Sequence, residues 1–387
     1  MRRLVLLLGG ALILTAPLSA QSSEFGIRGI GLPGRAASVR ALALGGSIGL
    51  LDPVSSENPA SLAGLGQMTS IFTSSNSWGQ SSNPTGSANI REARFPHVLI
   101  GGPLPRTPVA LAVSYSNYAV RDFTIATSGT DSPRGIPVGV VDTLSARGGV
   151  NDLRIGASWS VNKRFAVGGG IHFLTGSNRL AARRIWADSG YEAPQEHAEL
   201  NFTGLGFSAG AMWHPTLRLE LGGAFRSDGN LKMRRDSSDV VVNTIGLPVT
   251  LSGDARYLLR TGMSASVQVT SRNWAVADQG VKAAGGIGAD NTLEMSGGLE
   301  LVRNIRHPAN WPIRLGARHT TLPFLLLPGD QPKETGFSIG TGRRFSADRG
   351  GFDISLEHLT RSASAGYRET AWVFSFGISV HAGGFTP

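Results

Sequence analysis

The residues that could carry chemistry are scattered along the chain, and few have the spacing that a reaction needs. Gly29 to Gly34 matches the G-x-G-x-x-G pattern of dinucleotide-binding turns, but Pro33 interrupts it and a polar stretch precedes it. The eight histidines show no H-E-x-x-H or similar ligand spacing, and the chain has no cysteine. A Ser–His hydrolase stays open because such triads assemble in space, although no G-x-S-x-G turn supports it. We therefore predict no enzyme activity, no cofactor and no metal.

Composition bounds the class of protein. The 387 residues begin with Met1-Arg2-Arg3 and an apolar run that ends in small residues, which predicts a signal peptide over 1–20. An N-terminal membrane anchor is the alternative for this run. No later stretch reaches the 18 apolar residues of a membrane helix. The excess of 36 Lys and Arg over 27 Asp and Glu suits lipid headgroups or a solvated surface, and we predict no nucleic-acid partner for an exported protein.

Strict alternation dominates the rest of the sequence. In residues 152–161, Leu153, Ile155, Trp159 and their neighbours form one apolar face, while charged and small residues form the other. Such strands fit a sandwich or a membrane barrel, and segments of about ten residues favour the barrel. The polar faces predict a lumen-facing charge network of nearly balanced sign, made of Arg154, Arg218, Glu220, Arg226, Asp254, Arg256, Glu294, Arg314, Arg318, Asp353 and Glu357.

Connections and tryptophans agree with a barrel. Short links alternate with longer polar ones at 121–149 and 179–196, as periplasmic turns alternate with outer loops in outer-membrane barrels. Trp159, Trp213 and Trp311 adjoin short links, whereas Trp274 and Trp372 adjoin long ones, so we expect two girdles. The sequence predicts an all-β transmembrane antiparallel barrel of about 14 strands in the cell outer membrane of a Gram-negative-type envelope. An even strand number places both termini in the periplasm.

The stretch "GGSIGLLDPVSSENPASLAGL" (45–65) precedes the first strand. Asp52-Pro53 and Asn58-Pro59 each join an N-cap residue to a proline at the first helical position, so each predicts a short helix. Helices this short need packing partners, so we expect the segment to fold into the lumen rather than hang as a periplasmic tail. The predicted domains are the signal peptide at 1–20, a hatch at 21–66, the barrel at 67–382 and a tail at 383–387.

The same stretch resembles the N-terminal hatch of the long-chain fatty-acid transporter (FadL) family and its PorV-like members. Asn58, Pro59 and Ala60 match the family's hatch motif, and Gly45, Gly46, Asp52 and Pro53 resemble the hatch of the wider superfamily. The C-terminal segments "PIRLGARHTTLPF", "KETGFSIGTG" and "GGFDISLEHLTRSASAGYRETAWVFSFGISV" are similar to the family's last strands.

The resemblance implies passive uptake of hydrophobic molecules such as long-chain fatty acids. The ligand would bind near the hatch and leave sideways through the barrel wall, and the motif residues would act as gating elements. Implied partners are outer-membrane lipids and lipopolysaccharide, a hydrophobic small-molecule ligand and the barrel-assembly machinery during biogenesis. The alternatives are a PorV-like shuttle for proteins secreted by a type IX-like system, with the 324–330 loop "FLLLPGD" as its exposed contact, and a structural or general porin. The arginine-rich segment 179–186 is a candidate loop contact for lipopolysaccharide phosphates.

Overall fold

The fold is known from a computed structural model that describes residues 23–84, 86–236, 240–306, 310–345, 349–364 and 366–382. The expected signal peptide at 1–20 and tail at 383–387 lie outside the described residues. The long alternating runs of the sequence form one antiparallel sheet, because alternation places apolar side chains on one face of every strand. No described helix is long and apolar enough to cross a membrane.

The sheet closes into a barrel whose wall has fourteen strands, as predicted. Several wall strands are interrupted and consist of two segments each: β3 with β4, β5 with β6, β10 with β11, and β12 with β13. Closure is direct, since the last strand pairs with the first wall strand from His381 opposite Thr69 to Arg368 opposite Ser82. The segments are β1 Leu32–Pro33, β2 Thr69–Asn83, β3 Gly86–Arg94, β4 His97–Pro103, β5 Val109–Val120, β6 Phe123–Asp131, β7 Val138–Asn162, β8 Phe165–Trp186, β9 Gln195–Trp213, β10 Leu219–Asp228, β11 Asn230–Arg235, β12 Val241–Gly246, β13 Val249–Arg260, β14 Met263–Arg272, β15 Thr292–Leu301, β16 Ile313–Thr321, β17 Lys333–Phe345, β18 Gly350–Ser362 and β19 Arg368–His381.

The outer face of the barrel is apolar. Ile155 and Ile171 are about half exposed, as are Trp159, Trp213 and Trp311 near the short links. We call this end of the barrel the turn end and the opposite end the loop end. Trp372 is exposed toward the loop end, where it lies opposite Trp78. Trp274 departs from the predicted girdle: it is only 3% exposed and packs inside the barrel against Phe324.

Two regions expected to be long loops are largely strand. Residues 123–131 and 138–146 pair as β6 and the first half of β7, and residues 179–186 continue β8. The alternation there is masked by polar residues on both faces, because these segments project beyond the apolar belt. The segment 179–186 is therefore not a loop, and Arg184 is already paired with Asp131 and Asp142.

Two connections at the loop end fold inward. Residues 274–283 form a 3₁₀ turn, Trp274–Ala277, and helix α2, Asp278–Ala283. Phe324, Leu325 and Leu326 of the "FLLLPGD" segment are buried, so this segment is not an exposed contact surface as expected. Both connections pack on inward-facing apolar side chains of the wall, and together they form one core: Ile30, Ala119, Val150, Leu174, Phe202, Leu231, Met233, Ile245, Leu247, Trp274, Ala277, Val281, Ala289 and Phe324.

Residues 23–66, called the hatch below, lie inside the barrel. They comprise a 3₁₀ turn (Glu24–Gly26), β1, helix α1 (Val39–Ala43) and a 3₁₀ helix (Pro59–Gly64). The described hatch begins at the loop end, where Ser23 Oγ donates to Glu369 Oε2 at 2.6 Å, and it enters β2 at the turn end. The periplasmic location of both termini, which rests on the even strand number, stays a prediction.

Candidate functional site: the hatch, the lumen and an open seam

The hatch seats on a set of inward-facing glycines. A Cβ added at Gly210 would lie 1.9 Å from Asn58 Oδ1, and one at Gly316 would lie 2.1 Å from the Gly45 nitrogen. Only glycine permits this approach of hatch to wall. Such close contacts occur on most sides of the barrel, at Gly156, Gly168, Gly210, Gly222, Gly298, Gly316, Gly340 and Gly377.

Gly45 and Gly46 end helix α1 in a Schellman motif. The Gly46 N–H donates to the Ala41 carbonyl at 2.8 Å and the Gly45 N–H donates to the Leu42 carbonyl at 3.0 Å. Both glycines have positive φ, 71° and 101°, which the motif requires at its first position. Their place in the hatch is as the resemblance implies, and their local role is to turn the chain against β16.

Asn58 caps the second short helix, as its sequence context predicts. Its Oδ1 accepts from the Ala60 N–H at 2.9 Å, and Pro59 occupies the first helical position. The Asn58 side chain is fully buried, and its Nδ2 donates to the Leu50 carbonyl at 3.0 Å and to the Ala211 carbonyl of β9 at 3.3 Å. One side chain therefore ties the motif both to the hatch and to the wall.

Asp52 and Pro53 start a turn and not the helix that was predicted. Asp52 Oδ1 accepts from the Val54 N–H at 3.3 Å, while its Oδ2 accepts from the Ser38 hydroxyl. Ser38 is itself the N-cap of α1. The carboxylate thus bonds its own turn and also the N-cap of α1, and a local sequence pattern cannot reveal the second contact.

Hatch and wall also share ion pairs. Arg35 binds Glu357 at 3.0 Å and Arg40 binds Glu300 at 2.9 Å, so two hatch arginines complete clusters of the wall. Burial raises the pKa of the Glu57 carboxyl, which accepts from Gln268 at 2.9 Å. Of the predicted lumen network, the members that form ion pairs are Glu220, Arg226, Arg256, Glu294, Arg314, Arg318, Asp353 and Glu357.

Three predicted members of the network stand apart. Arg218 lies exposed in the link before β10, outside the lumen and without an ion pair among the described residues, because that strand begins only at Leu219. Arg154 is buried and donates to the Ser56 carbonyl of the hatch at 2.7 Å. Asp254 is buried beneath the hatch at Leu51.

A Ser–His–Asp chain does form in the wall. His172 Nδ1 lies 2.8 Å from Asp152 Oδ2, and His172 Nε2 lies 2.9 Å from Ser208 Oγ. The chain is buried, and Arg226 also binds Asp152. Its three side chains come from β7, β8 and β9, so these bonds join three neighbouring strands of the wall. Among the described residues, no three His, Asp or Glu side chains are grouped to hold a metal ion.

Among the described residues, the wall is interrupted between β3 and β6, and we call this place the β3–β6 seam. β3 pairs with β2 and β6 pairs with β7, but no described residue of β3 pairs with β6. Below the seam, toward the turn end, β4 and β5 pair normally from His97 opposite Ser116 to Pro103 opposite Ala110. Phe95-Pro96 separates β3 from β4, and proline has no N–H to continue a ladder.

The hatch lies against the inner side of this seam. Its strand β1 pairs with the edge of β5, Leu32 opposite Val120, and the Gly34 N–H donates to the Tyr118 carbonyl at 2.8 Å. Near the other flank, at the end of β2 that precedes β3, the Asn83 amide donates to Glu24 Oε1 at 2.7 Å. Burial raises the pKa of the Glu24 carboxyl. The hatch therefore contacts both flanks of the opening.

Two cavities meet at the seam. A central cavity of about 180 Å³ lies between the hatch and the inner wall, and its apolar lining includes Leu32, Leu42, Ile90, Leu322, Leu359 and Val373. A seam cavity of about 260 Å³ lies between β3 and β6, and Ile90 lines it as well. Ile90, itself buried, thus stands between the lumen and the opening in the wall. The arginines that line the central cavity, Arg35, Arg94, Arg272, Arg318 and Arg361, are all paired with glutamates.

Comparisons with known proteins agree with this architecture. Residues 2–246 match the model of a protein family described as BamG. No curated protein matches the chain by sequence. The fold is similar to a FadL homologue of Pseudomonas aeruginosa, with a TM-score of 0.60 and 14% identity over 91% of this chain and 99% of that one. It is also similar to the CymD monoaromatic hydrocarbon channel, with a TM-score of 0.56 and 14% identity over 91% of this chain and 98% of that one. The Pseudomonas putida toluene transporter TodX is similar too, with a TM-score of 0.55 and 12% identity over 91% of this chain and 100% of that one.

Proposed function

The chain belongs to the BamG family, and on that premise we propose that it is an outer-membrane channel that takes up hydrophobic molecules and releases them sideways through the β3–β6 seam. The observation that carries the proposal is the unpaired seam with a cavity on either side of Ile90. Structures of the same fold include a monoaromatic hydrocarbon channel and a toluene transporter, which supports the proposal of hydrophobic uptake. The gating elements are the hatch residues Asn58, Pro59 and Ala60, with 21–66 acting as one unit.

The central cavity favours an uncharged ligand. Its volume of about 180 Å³ is close to the ~150 Å³ of an engineered protein cavity that binds benzene. Each arginine that lines it already has a glutamate partner, so the cavity presents no uncompensated arginine charge to a carboxylate. Small uncharged hydrophobes therefore suit the cavity better than the long-chain fatty acids suggested by the resemblance.

The other roles receive less support. A general porin needs an open aqueous lumen, and here the hatch and the inward-folded connections occupy it. The shuttle role relied on an exposed "FLLLPGD" segment, which is buried. The name of the family points to the barrel-assembly machinery as a partner, and this role is compatible with a seam that opens. We infer a non-enzymatic protein of the outer membrane with lipid and lipopolysaccharide around its apolar belt.

The proposal is tested by bridging the seam. Because the chain has no cysteine, Ser87→Cys on β3 and Ala126→Cys on β6 introduce the only two thiols, which a bifunctional maleimide then joins. Uptake of radiolabelled toluene by cells expressing the protein should fall to the level of cells lacking it, and cleavage of the linker should restore it. The matched control joins Ser82→Cys and Arg368→Cys on strands that are already paired, and should leave uptake unchanged. Unchanged uptake with the seam bridged would overturn lateral release.

A further inference from the structure

The hatch is fastened to the wall at the lower end of the seam through a single buried serine. Ser56 Oγ lies 2.7 Å from His97 Nε2, and the Ser56 carbonyl accepts from Arg154 Nη1 at 2.7 Å. The Ser56 N–H donates to the Ala36 carbonyl at 2.7 Å, so the same residue also ties two parts of the hatch together. Ser56, His97 and Arg154 are all at least 95% buried.

The position of His97 in the wall makes this contact different from the other hatch contacts. His97 is the first residue of β4, directly after the break at Phe95-Pro96. Its carbonyl accepts from Thr73 Oγ1 of β2 at 2.8 Å. The Pro96 carbonyl accepts from the Asn117 N–H at 3.1 Å, which is the last backbone contact across the two flanks before they separate.

The opposite flank is distorted at the same level. The pairing of β5 with β7 shifts register between Asn117 and Ala119, and immediately above this shift β5 takes β1 of the hatch as its partner. The hatch therefore holds β5 above the break through β1, and holds β4 below the break through Ser56. A displacement of the hatch acts on both flanks at once.

We propose that His97 is a positioning residue that couples the hatch to the seam: the Ser56–His97 hydrogen bond holds the seam narrow while the hatch is seated. This inference rests on the proposed lateral release, and it assigns the contact through which ligand binding at the hatch would widen the exit. His97 touches no part of the central cavity, so it acts through Ser56 and not on the ligand.

The chain contains a matched control. His172 is also a buried wall histidine bonded to a serine hydroxyl, but its partners Ser208 and Asp152 are wall residues too. His172→Ala therefore removes comparable interactions without touching the hatch. A difference between the two variants reports coupling and not the general cost of losing a buried histidine.

The experiment measures the seam and the hatch separately in protein reconstituted without ligand. Spin labels on Ser87→Cys and Ala126→Cys report the width of the seam by double electron–electron resonance. Amide hydrogen exchange reports how often the hatch opens locally. His97→Ala should broaden the label distances toward longer values and speed amide exchange in residues 50–56 about tenfold, the effect of leaving one buried polar partner unsatisfied. His172→Ala should leave both readouts as in the parent protein.

Ser56→Ala removes the same bond from the hatch side and guards against a folding defect in the His97 variant. It should reproduce the broadening, and the double variant should broaden no further, since the two side chains share one interaction. His97→Gln, which can still bond Ser56, should restore the parent width. Faster hatch exchange with an unchanged seam would overturn the coupling, and so would equal broadening in His172→Ala. Because no uptake is measured, failure here is distinct from failure of the transport proposal.

Discussion

Two regions of the barrel wall contact the hatch in contrasting ways. From β15 to β2, which we call the closed region, the ladders are continuous, and α1 and the Gly45–Gly46 turn of the hatch pack against wall glycines. From β3 to β6 the ladder is missing, and the hatch supplies a strand to one flank and a side-chain anchor to the other. In the closed region the hatch is supported by the wall, whereas at the open seam the wall is held by the hatch.

The largest effect should follow from adding a side chain at a wall glycine of the closed region, where the hatch packs against the backbone. Gly298→Val places a Cβ within 2.8 Å of Leu44 and 2.6 Å of the Ser47 hydroxyl, and overpacking of this kind costs about 1–3 kcal/mol. The hatch should become sensitive to protease while the barrel stays folded. Gly297→Val, one residue away on the outer face, meets nothing closer than 3.8 Å and should have no effect. Equal protease resistance of the two variants would contradict the seating described here.

A smaller effect is expected from Asn58→Ala, which removes the hydrogen bonds of the Asn58 side chain to the hatch and the wall without adding bulk. The variant loses the cap on Ala60 and leaves the Leu50 and Ala211 carbonyls without this donor, at a cost of about 0.5–2 kcal/mol. Hydrogen exchange should speed up in residues 58–64 and stay unchanged in β17 to β19. Asn162→Ala in an exposed turn is the control. If exchange also rose across β17 to β19, the hatch would be supporting the closed region as well.

The smallest effect is a pH dependence of hatch docking. Burial raises the pKa of Glu57, so folding loses stability as pH rises from the unfolded value through the folded one, and docking is tighter on the acid side. Glu57→Gln should slow hatch exchange at neutral pH and reduce its change between pH 4 and pH 8. Glu199→Gln, a partly exposed ion-pair residue, should keep the parent's dependence. This role of Glu57 would be refuted if the amide exchange rates of the hatch in the parent protein, corrected for intrinsic exchange rates, did not change with pH.

The barrel was predictable because its cause is local and repeated. Most wall strands show the alternation that Leu153, Ile155 and Trp159 display, and the Asn58-Pro59 cap can be read directly from the sequence. The partner of Asp52 could not be found this way, because Ser38 reaches it across a fold of the chain. The inward-facing glycines were a sequence signal for the hatch contacts that the prediction did not use. An isolated glycine inside a strand indicates close backbone approach, and Gly210 and Gly316 are two of the places where the hatch contacts the wall.

The open seam was harder to foresee for a different reason. Phe95-Pro96 predicts a break in one strand. The missing ladder between β3 and β6 also depends on the path of both strands and on β1 of the hatch, which pairs with β5 in place of β3. Burial of the "FLLLPGD" segment is likewise a tertiary effect, since its apolar residues fit equally an exposed contact or an interior core. Sequence alone therefore yields the wall and the plug, but not the place where the wall is incomplete.

The most direct test of lateral passage is to map where a hydrophobic molecule contacts the protein. A tritiated aromatic diazirine would be photolysed during uptake by cells expressing the protein, and the labelled peptides identified. Lateral release predicts labelling at Ile90 and at Phe123–Thr127 in addition to the central cavity near Leu359. Labelling confined to the outer apolar belt around Ile155 and Ile171, with none at the seam, would contradict it.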